Sequence, residues 1–211
     1  RITFTTDISA GVRDAEVIFV AVGSPSYEDG SANLSQVHQV IKELADNLDH
    51  YVVIVVKSTV PIGAVDLMRK VLHDKGASEE TFDIVVNPEF LREGHGLQDF
   101  FCLNRIVIGT NSERARAVMR RLYAPFIRDN EGLGEATTNV PLIETSISNA
   151  QMIKYASNAF LATRISFINE VAGICERVGA DITQVVEGMS YDPRIGRDYL
   201  SAGAGFGGPC L

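Results

Sequence analysis

Tyr51-Val52-Val53-Ile54-Val55-Val56 runs directly into Lys57-Ser58-Thr59-Val60-Pro61. Six apolar residues in a row, four of them valine, lack the polar alternation of a half-exposed strand. They have the pattern of a strand covered on both faces. Glu16–Val22 (EVIFVAV), Phe82–Val86 (FDIVV) and Arg105–Ile108 (RIVI) share that texture. Between these runs lie stretches of helical spacing. Leu34–Leu48 offers Val37, Val40, Ile41, Leu44 and Leu48; Ala64–Leu72 follows the second strand and Ser112–Tyr123 the fourth. Strand and helix alternate, so the spacing predicts an α/β fold, a doubly wound parallel sheet. Ligands of such a sheet bind beyond the carboxyl ends of its strands. Those ends are Val22-Gly23-Ser24-Pro25, Lys57–Pro61 and Asn87-Pro88-Glu89.

Past Thr145 the texture changes. Ser148–Val178 holds no proline and one glycine, Gly173, while Ile153, Ala156, Phe160, Phe167, Val171 and Ile174 recur at helical steps. One helix of about 45 Å is predicted, long enough to join domains or to form part of a subunit interface. Asp181 should cap a shorter helix, Ile182–Glu187, ended by Gly188. The expected division is an α/β domain over 1–143 and an all-helical domain over 144–211.

The composition narrows the function. Of 211 residues 45% are hydrophobic and 22% charged, which allows a substantial core and excludes low-complexity and collagen-like chains. Acidic residues outnumber basic ones 27 to 19, a net charge of −8 that disfavours nucleic acid as a partner but not a pocket for one diphosphate. Three cysteines make no disulfide framework and point to a reducing compartment, so the cytoplasm is expected. The longest apolar runs are too short to cross a bilayer, so no membrane association is expected. No Cys/His spacing suits a metal.

Several residues carry chemistry. Lys154 and Asn158 are four apart and share a helix face. An ammonium and an amide presented together suit a developing oxyanion, though a solvated helix face has the same spacing. Glu89 and Glu93 follow a buried strand, where two carboxylates can serve as general base and hydrogen-bond acceptor. Acids at the start of a helix explain them equally well. Cys210 closes Gly203-Ala204-Gly205-Phe206-Gly207-Gly208-Pro209-Cys210, where backbone N–H groups can hold a thiolate, or it is an inert thiol. Cys102 and Cys175 read as packing residues. Gly203-x-Gly205-x-x-Gly208 matches a dinucleotide fingerprint in letters alone, because no apolar strand precedes it.

Taken together these segments resemble the nucleotide-sugar dehydrogenases. The resemblance rests on VGSP (Val22–Pro25), KSTVP (Lys57–Pro61), NPEFLREG (Asn87–Gly94) and RIVIG (Arg105–Gly109). KYASNAFLA (Lys154–Ala162), FINE (Phe167–Glu170), DPRIG (Asp192–Gly196) and GFGGPC (Gly205–Cys210) complete it, in the family's order. The FLREG and RIVIG forms are most similar to the branch acting on UDP-glucose. The fold implied is a Rossmann-like NAD-binding domain followed by a central helical domain that dimerises.

The activity implied is oxidation of the sugar C6 alcohol to a carboxylate with two NAD+. Cys210 would capture the intermediate aldehyde as a thiohemiacetal, whose further oxidation gives a thioester that water cleaves. Lys154 and Asn158 would stabilise oxyanions and bind sugar; Thr59 and Glu89 would position and activate water. Val22, Gly23, Ser24, Pro25, Ser58, Thr59, Val60 and Glu93 would line the NAD site. Substrate contacts would come from Glu89, Phe90, Leu91, Arg92, Glu93, Lys154, Asn158 and Arg194. The Ser201, Gly203, Gly205, Phe206 and Gly207 loop would add to them. UDP-glucose and a second copy of the chain are the expected partners.

The sequence departs from the family at Ser24 for threonine, Gln151 for glutamate, Arg164 for lysine, and Pro209 before the cysteine. The first three leave the proposed chemistry unchanged, and Pro209 removes an N–H beside the nucleophile. The family's glycine-rich phosphate loop and C-terminal UDP-binding domain have no counterpart in these residues, so an inactive internal piece of a longer enzyme is expected. Another dehydrogenase, of GDP-mannose or a UDP-N-acetyl sugar, is the nearest alternative. A non-catalytic oligomerisation or nucleotide-sugar-binding module is another.

Overall fold

In the computed structural model, residues 2–127 and 140–205 are described. They form two compact units, Arg1–Lys154 and Tyr155–Leu211. The first is built on five strands: β1 (Val17–Val20), β2 (Val52–Val56), β3 (Phe82–Val86), β4 (Ile106–Gly109) and β5 (Leu142–Thr145). They lie in the order β1-β2-β3-β4-β5.

The stretch Val52–Val56 is the centre of the unit. All five residues are fully buried, with β1 and β3 paired to either side of them in parallel register. The pleat sends alternate residues to opposite faces. Val52, Ile54 and Val56 join Phe82, Ile84 and Val86 in one core, against α2 (Ser35–Ala45) and α3 (Ala64–Asp74). Val53, Val55 and Val85 turn to a second core with Ala115, Met119 and Tyr123 of α5 (Glu113–Ile127). Each fully buried aliphatic side chain contributes about 1.5–3 kcal/mol, which is why the run contains no polar residue. The expected α/β sheet, covered by helices on both faces, is present.

One strand departs from the expected parallel arrangement. β4 runs antiparallel to β3, with Val86 opposite Gly109, and β5 is parallel to β4. Apolar content marks a strand as doubly covered but carries no sign for its direction. The reversal matters for function: with Gly109 level with Val86, it carries the start of β4 beyond the edge where β3 finishes, alongside the loop that follows β3. Three short elements also escaped the sequence reading: α1 (Ile8–Val12), α4 (Gly96–Phe101) and β5. Cys102 caps α4 and is exposed, against the expectation that it packs; Cys175 is buried.

The long helix forms as α6, Ile147–Val178. Its first two turns belong to the first unit, where Ala150 and Ile153 reach the first core. Gly109 permits this approach: a Cβ there would lie 2.5 Å from the Cβ of Ala150. The rest of α6 is in the second unit with α7 (Ile182–Ser190). Asp181 caps α7 as expected, its carboxylate accepting from the Thr183 N–H at 2.8 Å. Gly188 does not end that helix, which continues two residues beyond it. Within this unit Ile168 and Leu200 are buried, whereas Phe160, Phe167 and Ile174, seven residues apart, are each more than half exposed.

Candidate functional site

Three loops leave the carboxyl edge of the sheet: those after β1, β2 and β3. The first two are tied together. The Lys57 N–H donates to the Val20 carbonyl at 2.9 Å, and the Ser58 hydroxyl donates to the Val22 carbonyl at 2.6 Å. Ser58 therefore spends its hydroxyl on holding the loops side by side. Val60 is buried beneath them, while Val22, Ser24 and Thr59 are partly open and Gly23 and Pro25 exposed. Adjacent loop ends with a small residue between them suit the close approach of a dinucleotide backbone.

The loop after β3 carries the charge. The Glu89 Oε1 accepts from the Lys154 ammonium at 2.8 Å, and its Oε2 accepts from the Leu91 N–H at 2.6 Å. Lys154 is 4% exposed. A lysine buried that deeply needs a compensating carboxylate, and this one arrives from 65 residues earlier. The helix that delivers it is fastened one turn before: the buried Gln151 donates to the Pro61 carbonyl at 2.7 Å and the Val60 carbonyl at 3.3 Å. Phe90 lies between two cations, with the Arg105 guanidinium 3.7 Å and the Lys154 ammonium 5.5 Å from its ring centre. Arg105 reaches this edge because β4 is reversed. Burial lowers its affinity for the proton.

Asn87 anchors the loop. It is 1% exposed and donates to the Val107 carbonyl at 2.7 Å. Its Oδ1 accepts from the Tyr123 hydroxyl at 2.5 Å and from the Lys57 ammonium at 3.3 Å. Burial pushes Tyr123 up to about 12 and brings Lys57 down to about 8. The Lys57 charge also interacts favourably with Glu89 and unfavourably with Lys154. The arrangement can hold an oxygen that develops negative charge, and it places a carboxylate within reach of a water or hydroxyl.

Of the residues expected from sequence, the first unit brings Glu89, Phe90, Leu91 and Lys154 together. Arg92 is exposed and tied to Asp99, its Nη2 donating at 2.6 Å, which holds the Asp99 carboxyl down to about 2. Glu93 is exposed. Asn158 belongs to the second unit. There, Arg194 is exposed and paired with Asp192 at 2.6 Å, and the Gly203 N–H donates to Asn169 at 3.0 Å. Ser201 and Gly205 are exposed; Gly205, at φ +100°, holds a conformation that suits glycine. Phe206, Gly207 and Cys210 lie outside the described residues. Among the described residues no group of three or more His, Cys, Asp or Glu side chains can hold a metal, and no helix is long and apolar enough to cross a membrane.

Lys57, Asn87, Tyr123 and Arg105 were missed as site residues. The first two had a readable signal: each is a polar residue directly after a run of buried aliphatic residues, where it must find a partner. Tyr123 and Arg105 had none, because their placement depends on the reversed β4 and on the packing of α5.

Residues 1–127 match the NAD-binding domain of the UDP-glucose/GDP-mannose dehydrogenase family, and residues 148–211 match that family's central domain. The chain is 45% identical over its whole length to UDP-glucose 6-dehydrogenase TuaD of Bacillus subtilis, of which it covers 43%. It is 41% identical to the UDP-glucose 6-dehydrogenase of Rickettsia typhi, covering 46%. The chain thus spans less than half the length of these relatives. Its fold superposes on a UDP-glucose dehydrogenase from Pyrobaculum islandicum with a TM-score of 0.87 at 38% identity, over 99% of this chain and 46% of that one. A GDP-mannose dehydrogenase from Pseudomonas aeruginosa gives 0.79 at 28% identity, over 98% and 47%.

Proposed function

The chain belongs to the UDP-glucose/GDP-mannose dehydrogenase family, and from that premise we propose that it serves the NAD-dependent oxidation of UDP-glucose to UDP-glucuronate. The observation that carries this reading is the pairing of the buried Lys154 with Glu89 at the carboxyl edge of the sheet. The greater identity to UDP-glucose dehydrogenases than to the GDP-mannose enzyme supports the choice of sugar. On this reading residues 1–143 form the cofactor domain and 144–211 the helical domain.

NAD, when bound, takes up the hydrides that the two oxidations release. Val22–Pro25 and Ser58–Val60 would hold it, with Glu93 nearby; the joined loops with Gly23 between them fit that task. Lys154 and Asn158 donate to the sugar C6 oxygen as it gains negative charge. The Cys210 thiolate adds to the aldehyde carbon, and the aldehyde oxygen takes a proton to complete a thiohemiacetal. After the second oxidation, Glu89 and Thr59 orient a water on the thioester carbonyl. Glu89 takes its proton, the C–S bond breaks, and the Cys210 sulfur leaves as thiolate. Phe90, Leu91, Arg92, Arg194 and the Ser201–Gly207 loop are the further substrate contacts. The exposed row Phe160, Phe167 and Ile174 supports a second copy of the chain as a partner.

The test is NADH formation by the complete protein given UDP-glucose, GDP-mannose or a UDP-N-acetyl sugar. UDP-glucose should be turned over fastest, Glu89→Gln should lower kcat at least 100-fold, and Cys210→Ser should stop release of UDP-glucuronate. Full UDP-glucuronate release by Cys210→Ser would remove the covalent step from this account. Preference for GDP-mannose would reassign the substrate.

A further inference from the structure

The stretch FINE (Phe167–Glu170) has no part in the proposed chemistry, although its asparagine reaches a loop assigned to substrate. Asn169 lies in the interior of α6, where asparagine is a poor helix former because its amide competes with the backbone. Both ends of that amide are occupied. Nδ2 donates to the Ile165 carbonyl one turn back at 2.9 Å, which leaves Oδ1 as the atom to present. Oδ1 accepts from the Gly203 N–H at 3.0 Å, a bond that crosses 34 residues of sequence and joins the helix to the Ser201–Gly205 turn.

A second tie lies at the other end of the same segment. Arg164, also on α6, donates from Nη2 to the Gly196 carbonyl at 3.2 Å. Between the two ties Leu200 is buried, and Tyr199 stands at φ +60°. A bulky residue keeps that left-handed conformation only where its surroundings over-determine it. The segment is therefore held at Gly196, Leu200 and Gly203, while Ser201, Ala204 and Gly205 stay exposed. Exposed backbone on a turn fixed from behind loses little freedom when it receives an anion.

We propose that Asn169 is a positioning residue, which holds the Ser201–Gly205 turn in the shape that receives the diphosphate of the sugar nucleotide. The Gly203 N–H is committed to the helix, so the anion is met by the N–H groups of Ala204 and Gly205. This inference rests on the reading of the loop as a substrate contact, and its test separates the two.

In the complete protein, Asn169→Ala removes the acceptor and favours the helix. Calorimetric titration should show the Kd for UDP raised about tenfold, as loss of one such hydrogen bond implies, with the Kd for NAD+ unchanged. A residue that merely supported the fold would move both constants. An unchanged UDP Kd, or an equal rise for NAD+, overturns the proposal. Thr163 is an exposed residue of the same helix whose hydroxyl donates to the Ala159 carbonyl at 2.8 Å. Thr163→Ala should leave both constants in place, and a loss equal to that of Asn169→Ala overturns the proposal too. Asn169→Leu, which also lacks the acceptor, serves if the alanine variant does not fold. Loss of the folded circular dichroism spectrum in both would assign Asn169 to packing and overturn it as well. A parent protein that binds NAD+ but neither binds UDP nor oxidises UDP-glucose would instead overturn the reading on which the inference rests.

Discussion

At the amino edge of the sheet, Asp83 is shared by two hydroxyls: Tyr51 donates to it at 2.8 Å and Ser112 at 2.6 Å, with the Arg114 guanidinium 3.2 Å from the centre of the Tyr51 ring. At the carboxyl edge, Glu89 pairs with the almost wholly buried Lys154 ammonium at 2.8 Å, and the Lys57 ammonium reaches Asn87 at 3.3 Å. The amino edge ties β2, β3 and the start of α5 together with neutral donors around one acid. The carboxyl edge makes its ties, Lys57 to Asn87 and Lys154 to Glu89, with buried or half-buried cations, whose desolvation costs more than that of neutral donors. A fold selected for stability alone has no need of the second arrangement. A site that must meet an anionic oxygen does.

Substitutions at the two edges should separate along that line. The largest effect is expected for Lys154→Met, which removes the oxyanion donor and leaves Glu89 without its partner. In the complete protein kcat should fall roughly 100- to 1000-fold. Steady-state kinetics would check this, and a fall confined to KM would break the contrast. Asp83→Ala should do the reverse, since it strands two hydroxyls at the amino edge. Urea unfolding should show a loss of about 1–3 kcal/mol, with kcat unchanged.

The smallest effect is in the pH dependence of stability, where the edges oppose each other. Lys57 binds its proton more weakly in the folded chain than in the unfolded one. Its contribution to stability is complete above pH 10.5 and is lost as the pH falls toward about 8. Tyr51 is shifted upward by burial and by Asp83, so its contribution is present below pH 10 and is lost as the pH rises beyond that. Stability measured by urea should therefore climb between about pH 8 and 10 and turn over above. Lys57→Met should flatten the climb and Tyr51→Phe the turnover.

Much of the fold was legible because burial and periodicity are local properties. Val52–Val56 could be nothing but a doubly covered strand, and Asp181 announced the start of α7. The direction of β4 was not legible, because Ile106–Gly109 presents the same apolar face whichever way it runs. The candidate site divides in the same manner. Glu89 and Lys154 were visible as residue types at strand end and helix face. Their contact, like that of Tyr123 with Asn87, is made by segments distant in the chain and belongs to packing. The role of Gln151 was hidden by treating it as a neutral exchange for glutamate.

That exchange has a consequence of its own. An amide carries no ionisable proton, so the joint between α6 and the Val60 and Pro61 carbonyls is the same in acid and in base. A carboxylic acid in its place has one O–H to donate, could hold a single carbonyl oxygen while protonated, and would release the helix on ionising. In this chain the support of Lys154 is thus insulated from acidity. Any proton-dependent change at the carboxyl edge must originate in the charges themselves and not in a loosening of the helix that bears them.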